Sequence, residues 1–89
     1  MATVHLIVKG KVQGVFYRAS ARKMAETLGV TGWIQNTDDG SVEAMASGTE
    51  AKLQKFVDWC HQGPVQAYVT HVYVKPVADE EFTGFQVLR

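Results

Sequence analysis

Two amphipathic helical patterns, each lying between strand-like segments, limit the folds open to this chain most strongly. In both patterns apolar residues recur at i, i+3, i+4 and i+7, with Ala21, Met24, Ala25 and Leu28 in the first and Leu53, Phe56, Val57 and Cys60 in the second. The first pattern predicts a helix that begins near Arg18 and stops at Gly29. The second predicts a helix capped by Thr49 and ended by Gly63 and Pro64. This spacing makes Cys60 most simply a core residue.

Five strand-like runs surround the two predicted helices. They are residues 4–9, 30–36, 41–47, 67–75 and 84–89. Asp39-Gly40 predicts a hairpin turn between the second and third runs, because glycine accepts a positive φ without steric cost. Pro76 predicts a strand end and a polar loop over residues 76–81. The order βαββαβ plus one short strand predicts an α+β, ferredoxin-like sandwich, with both helices on one face of an antiparallel sheet.

Length and composition indicate one small folded domain over residues 1–89. The 89 residues are 46% hydrophobic and 20% charged, and the formal net charge is zero. A neutral chain argues against a non-specific nucleic-acid binder, which must neutralise many phosphates. An RNA-recognition domain of this topology would carry aromatic residues in its third strand, and residues 41–47 contain none.

The N-terminal segment and the cysteine count bear on location and partners. The apolar run near the N-terminus is too short for a signal peptide or a membrane span, and Cys60 is the only cysteine. We therefore expect a cytosolic protein with no internal disulfide, no membrane partner and no nucleic-acid partner. With no interface motif in a single small domain, the sequence also predicts a monomer.

The segment Gly10 to Arg18, GKVQGVFYR, joins the first strand to the first helix. A helix N-terminus carries unpaired N–H groups and a partial positive charge, so a glycine-containing loop entering it suits an anion. Gly14 would let successive amides face one point, and the planar fork of Arg18 matches two oxygens of a phosphate or carboxylate. The alternative is a tight strand-to-helix turn with a surface arginine. The segment matches neither the Walker loop nor the dinucleotide-binding pattern.

Charge is distributed unevenly along the chain. Five cations precede the first acidic residue, Glu26: Lys9, Lys11, Arg18, Arg22 and Lys23. This predicts a local field near residues 9–23 that attracts small anions. Lys23 is expected to be solvated, whereas Lys9 and Lys11 flank the glycine-containing segment.

Two segments together resemble the signatures of a known enzyme family. GKVQGVFYR at residues 10–18 is similar to the signature loop of the acylphosphatases, and GWIQNTDDGSVE at residues 32–43 is similar to their second signature. The resemblance extends over essentially the whole chain. It implies hydrolysis of the carboxyl-phosphate bond of acyl phosphates, with inorganic phosphate as product and inhibitor and with no metal or cofactor.

The resemblance also implies roles for individual residues. A phosphate-binding loop would comprise Gln13, Gly14, Val15, Phe16, Tyr17 and Arg18. The amides from about Val15 onward would bind the phosphoryl oxygens, Arg18 would clamp them, and Asn36 would position the attacking water. Tyr17 stands where phenylalanine is more usual, which would add a hydroxyl to the loop. Outside the resemblance, Asn36 is better explained as a turn former before the hairpin.

The positions of the histidines and of the cysteine in the sequence do not favour a metal site or a nucleophile pair. His5, His61 and His71 are scattered along the chain without metal-ligand spacing, so no metal site is predicted. Neighbours such as Cys60 and His61 point in different directions on a helix, which argues against a nucleophile pair. A further alternative, a module serving a larger carbamoyl-transfer protein, would bring zinc-finger cysteines that this chain lacks. The acyl group stays open among carbamoyl, acetyl, glyceroyl and aspartyl.

Overall fold

The computed structural model describes residues 1–89, and its helices and strands follow the predicted order. The elements are β1 (Ala2–Lys11), α1 (Tyr17–Leu28), β2 (Thr31–Asn36), β3 (Val42–Gly48), α2 (Glu50–Gln62), β4 (Tyr68–Val77) and β5 (Phe85–Val87). One five-stranded sheet has the strand order β4-β1-β3-β2-β5. The predicted ferredoxin-like sandwich is therefore confirmed. Neither helix is both long and apolar enough to cross a bilayer.

The last strand corrects one feature of the predicted sheet. The first four strands pair antiparallel, but β5 pairs parallel to β2, with Gly32 opposite Phe85 and Ile34 opposite Val87. The sheet is thus mixed rather than purely antiparallel. The connection from β4 to β5 crosses to the opposite edge of the sheet past the start of β1 and the end of β3. There the Thr3 hydroxyl accepts a hydrogen bond from the Glu80 N–H, and the Ser47 hydroxyl donates one to the Glu80 carbonyl oxygen.

Pro76 lies inside a strand, although the sequence predicts a loop from this position. It pairs with Val4 near the end of β4. Because β4 is an edge strand, the N–H group that proline lacks can be missing on the open side of the strand without breaking the ladder. The prediction of a strand end at Pro76 was therefore wrong.

The two helices cover one face of the sheet and bury a single apolar cluster against it. On β1 and β3 the inward positions alternate with outward ones, as a strand with one buried face requires. The largest fully buried apolar side chains of this cluster include Tyr17, Phe56, Leu6, Ile34 and Val8. Thr49 caps α2 as predicted, since its hydroxyl accepts a hydrogen bond from the Lys52 N–H at 3.3 Å.

Tyr17 opens α1 and attaches it to the end of α2. Its side chain is 1% exposed, and its hydroxyl donates a hydrogen bond to the Cys60 carbonyl oxygen at 2.8 Å. Its ring lies 5.3 Å from that of Trp59. Burial raises the pKa of Tyr17 far above its usual range and that of Cys60 to about 12, so both groups stay neutral. The Tyr17 hydroxyl consequently faces the core and not a ligand.

We expect Tyr17→Phe to lower the free energy of unfolding by about 1 kcal/mol, the usual net value of a buried hydrogen bond. Urea denaturation followed by circular dichroism measures the change. Tyr73→Phe is the matched control, because Tyr73 is 55% exposed and should lose little. Equal midpoints for the two variants would show that the hydroxyl of Tyr17 contributes no more than an exposed one.

Candidate active site

The loop between β1 and α1 alternates buried and exposed side chains. Val12 and Val15 are 1% and 4% exposed and anchor the loop in the core. Between and after them, Gly14 has a φ of 73° and Phe16 a φ of 64°. Only glycine takes such angles freely, so the predicted need for glycine at position 14 is confirmed. The same geometry in Phe16 is unusual for a bulky residue.

The backbone amides of this loop have no partners within the chain. None of the N–H groups of residues 14 to 19 donates a hydrogen bond to another group of the protein. The N-terminus of α1 has no side-chain cap at Phe16 and no acidic residue in its first turn. Unpaired donors and the positive end of the helix dipole therefore occur together, the combination that binds anions.

Arg18 brings a cation to the same place and has no counterion there. It is half-buried and takes part in no hydrogen bond or ion pair, whereas Arg22 and Arg89 each pair with a carboxylate. A positive side chain in the first turn of a helix opposes the helix dipole, so nothing local favours it. An anionic ligand would satisfy both the guanidinium and the free amides.

Lys9 does not add a free charge to this loop. Its ammonium group lies 2.9 Å from the Asp39 carboxylate in the β2–β3 turn. Hydrogen bonds from Thr37, Lys9 and Ser41 hold the pKa of the Asp39 carboxyl well below its usual range. The Asp39 side chain thus serves the turn, as predicted from Asp39-Gly40, whereas Asp38 pairs with Arg89 at the surface.

Asn36 ends β2 on the side of the sheet that faces the helices. Val42 of β3 pairs with Val8 on one side and with Asn36 on the other, so the three residues form a row across the sheet. The Asn36 N–H donates to the Arg89 carbonyl oxygen at 2.8 Å. Its side-chain Oδ1 is buried and has no hydrogen-bond partner. Such an atom is costly unless a ligand or water completes it.

Gln13 connects the loop to the turn that follows Asn36. Its Nε2 donates to the carbonyl oxygens of Thr37 and Ser41, each at 2.8 Å. The side chain of Gln13 is thereby committed to the hairpin rather than free for a ligand. This pair of bonds keeps the loop and the end of β2 together.

A cavity of about 310 Å³ lies where the loop, the start of α1 and β5 meet. It is lined by Val12, Gly14, Phe16, Tyr17, Arg18, Ala19 and Val87. The structure therefore brings Arg18 and Gly14 into one cavity, as their shared motif predicts. The sequence does not indicate that Val87 lines this cavity, because its position there depends on the pairing of β5 with β2.

The histidines and acidic residues lie away from this cavity. His5 Nε2 is 2.7 Å from the Glu43 carboxylate on the helix-free face of the sheet, and Gln35 also donates to Glu43. These two hydrogen bonds lower the pKa of the Glu43 carboxyl. The His, Cys, Asp and Glu side chains do not gather in any group of three that could hold a metal ion.

Comparison with known proteins identifies the family. The Acylphosphatase family model matches residues 4–87. The chain belongs to the acylphosphatase family. It is 48% identical over its whole length to an acylphosphatase of Methylococcus capsulatus, 98% of which is covered, and 48% identical to one of Marinobacter nauticus over 92% of this chain and 90% of that protein. The crystal structure of the Bacillus subtilis acylphosphatase superposes with a TM-score of 0.96 at 34% identity, covering both chains completely.

Membership of this family confirms the resemblance carried by residues 10–18 and 32–43. In the fold, these two signatures form the loop before α1 and the β2–β3 hairpin. They are distant in sequence, yet Gln13 joins them directly. The acylphosphatase signatures therefore mark one contiguous region of the structure.

We expect Gly14→Ala to weaken the binding of inorganic phosphate as well as to destabilise the fold. A Cβ at Gly14 meets no atom within 4 Å, so the substitution acts through the φ of 73° alone and would re-aim the free amides. The dissociation constant of phosphate, by isothermal titration calorimetry, and the urea midpoint are both measured.

Gly40→Ala is the matched control for this comparison. Gly40 also has a positive φ, 89°, and open space at its Cβ, but it lies at the tip of the hairpin. Both variants should lose about 1 to 2 kcal/mol of stability, while only Gly14→Ala should bind phosphate more weakly. Unchanged phosphate binding in Gly14→Ala would reduce this glycine to a folding role.

Proposed function

We propose that this chain hydrolyses acyl phosphates to a carboxylate and inorganic phosphate, without a metal or cofactor. The observation that carries the proposal is the unpaired, half-buried Arg18 beside backbone amides that have no partner in the chain. The names of the relatives support the same reaction, since they are called acylphosphatases.

The phosphoryl group would bind at the loop. Amides from Val15 to Arg18 would donate to its oxygens, and the guanidinium of Arg18 would contact two oxygens at once. Gly14 would provide the turn, and Gln13 would hold the loop against the hairpin. In this role the side chains of Phe16 and Tyr17 do not touch phosphate, and those residues contribute through their backbone.

Asn36 would orient the attacking water. Its side chain offers both an acceptor and a donor, and rotation about χ2 exchanges the two, so either group can face a water at the loop. A neutral amide also avoids the repulsion that a carboxylate would exert on an incoming phosphate. The buried Oδ1 without a partner supports this role over that of a simple turn former.

Hydrolysis of an acyl phosphate would need few groups beyond the loop amides, Arg18 and Asn36. Phosphoryl transfer through a loose transition state depends on in-line positioning and on neutralising the equatorial oxygens. The leaving carboxylate is stable without protonation, so no general acid is needed. A set of amides, one arginine and one amide-bearing side chain would therefore suffice.

The wider properties of the chain follow from the same observations. The single apolar cluster shared by both helices and the sheet supports one domain over residues 1–89. From the neutral charge we infer no nucleic-acid partner, and from the short apolar N-terminal run and the single, buried cysteine a cytosolic protein with no membrane partner. A single small domain with no interface motif is most simply a monomer. The ligands would be an acyl phosphate and the phosphate it releases.

The test is hydrolysis of benzoyl phosphate by the purified protein in the presence of a chelator, with Arg18→Lys beside the wild type. We expect metal-independent turnover and a loss of more than about 100-fold in kcat/KM for the variant. Lysine keeps the charge but loses the planar fork, so Arg18→Lys should be nearly as damaging as Arg18→Ala.

Arg22→Lys is the control for a general effect of arginine replacement, because Arg22 pairs with Glu26 on the exposed face of the same helix. It should keep wild-type turnover. Absence of turnover in the wild type would contradict the proposed reaction. Near wild-type turnover in Arg18→Lys would contradict the two-point contact.

We expect Asn36→Ala to lower kcat sharply and to leave competitive inhibition by inorganic phosphate almost unchanged. This separation follows if Arg18 and the amides bind phosphate while Asn36 only orients water. Steady-state rates with and without added phosphate measure it, on protein whose thermal melt confirms the fold. Equal losses in kcat and phosphate affinity would instead make Asn36 a support of the loop, and an unchanged kcat would make it a turn residue.

A further inference from the structure

The sheet has one long open edge, formed by β4. This strand has 10 residues and pairs only with β1, whereas β5 at the opposite edge has 3 residues. We propose that this edge, together with the groove beside it, binds an extended segment of a partner protein, which adds to the sheet as a further strand. The surface lies beside the start of β1, away from the loop that follows the end of that strand, so it does not depend on the proposed hydrolysis.

A groove of about 480 Å³ lies between α2 and the strands β1 and β4. One face of α2 lines the groove with residues at i, i+3, i+4 and i+7: Glu50, Leu53, Gln54 and Val57. Val4, Val74 and Pro76 line the groove from the sheet. Val74 is 40% exposed, so α2 does not fully cover the edge strand. Apolar surface is therefore available next to the open edge.

The backbone of Val74 points outward at this edge, as the hydrogen bonds across the sheet require. Ile34 accepts a bond from the Leu88 N–H, so its backbone groups face β5. Ile34 lies opposite Ala44 in β3. Ala44 lies opposite Leu6 in β1, and Leu6 lies opposite Val74. Bonded and non-bonded pairs alternate along such a row, because the N–H and C=O groups of one residue in an antiparallel strand face the same side. Ala44 therefore bonds Leu6, and the backbone groups of Val74 face away from β1.

The ends of β4 limit what can pair with it. Pro76, two residues from Val74, also faces outward and has no N–H to donate. At the other end, the register of β4 against β1 shifts between Lys9 and Gly10. Prolines and irregular pairing are devices that keep edge strands from joining another sheet. Between these points Val72 and Val74 offer both backbone groups, which suits a short segment better than the whole edge of a second copy.

The lining of the groove indicates the chemistry of the partner segment. A segment added to β4 would place every second side chain over the groove. The groove walls are mostly apolar, so burial favours apolar side chains at those positions. Glu50 is the one charged residue of the lining, and it is exposed and forms no ion pair. A basic residue of the segment would therefore complement the end of the groove at Glu50.

The position of Glu50 also gives the segment a direction. Ser47 of β3, Thr3 of β1 and Val77 of β4 lie in one row across the sheet, and α2 begins shortly after β3 ends. Glu50 therefore lies near the C-terminal end of β4. An antiparallel segment, the commoner kind of pairing, would begin at this end. The segment that fits has a basic residue first and apolar residues at every second position after it.

The experiment titrates isotopically labelled protein with a short synthetic peptide in which lysine comes first and valine then alternates with threonine. Amide chemical shifts measured by NMR report the surface that binds and the dissociation constant. We expect shift changes at Val72, Val74 and the groove face of α2, and slower hydrogen exchange at the Val72 and Val74 amides. A peptide of the same composition with its valines consecutive should bind about tenfold more weakly, because fewer of them face the groove. Glutamate in place of the lysine should weaken binding about threefold.

Two variants test the two parts of the surface. Val74→Lys should weaken binding of the alternating peptide about tenfold, because it replaces an apolar wall of the groove with a cation. Tyr73→Lys is the matched control: Tyr73 is 55% exposed and precedes Val74, so it lies on the helix-free face and its variant should bind as the wild type does. Glu50→Gln should remove the preference for lysine over glutamate at the first peptide position. Thermal melts check that each variant is folded.

Several results would overturn the proposal. They are no binding of the alternating peptide, shift changes confined to another surface, equal affinity for the alternating and the consecutive peptide, and equal losses in Val74→Lys and Tyr73→Lys. Sedimentation of the free protein tests the other occupant of the edge. A dimer that Val74→Lys dissociates would assign β4 to a second copy of the chain and would also overturn the partner segment.

Discussion

The pairing of β3 with both β1 and β2 brings the loop before α1 and the β2–β3 hairpin to the same end of the sheet. Val42 sits between Val8 and Asn36, so the end of β1 and the end of β2 meet at the same end of the sheet. The loop that leaves β1 therefore reaches the hairpin, and Gln13 closes the remaining gap with its bonds to Thr37 and Ser41. Without this register, the two acylphosphatase signatures would remain distant in space as well as in sequence.

Features set by local sequence were predictable, and features set by distant pairing were not. The helix stripes, the Thr49 cap and the turn at Gly40 depend on residues within a few positions, and the structure agrees with all of them. Pro76 was wrongly predicted to end its strand because its tolerance depends on β4 lying at an edge. The parallel direction of β5 depends on a connection across the whole sheet, which no local pattern encodes.

The residues of the candidate site also fall into those that the sequence indicates and those that only the fold brings there. Gly14 and Arg18 lie in one short segment whose chemistry can be read from residue types, and Asn36 entered through the family resemblance. Val87 carries no signal, since it reaches the cavity only through the pairing of β5. The direction of the Tyr17 side chain was equally hidden, because it depends on α2 offering the Cys60 carbonyl behind the loop.

Unfavourable features are concentrated in residues 14 to 19, and the contacts that offset them lie on either side. The free amides and the unpaired Arg18 gain no contact from the rest of the chain, and the left-handed Phe16 costs stability. On one side Gln13 binds the hairpin, and on the other the buried Tyr17 joins α1 to α2. Because these anchors hold the backbone without using its loop amides, the donors stay oriented and unsatisfied. A loop held in this way would bind a phosphoryl group with little rearrangement, as the proposed hydrolysis requires of a reaction governed by positioning.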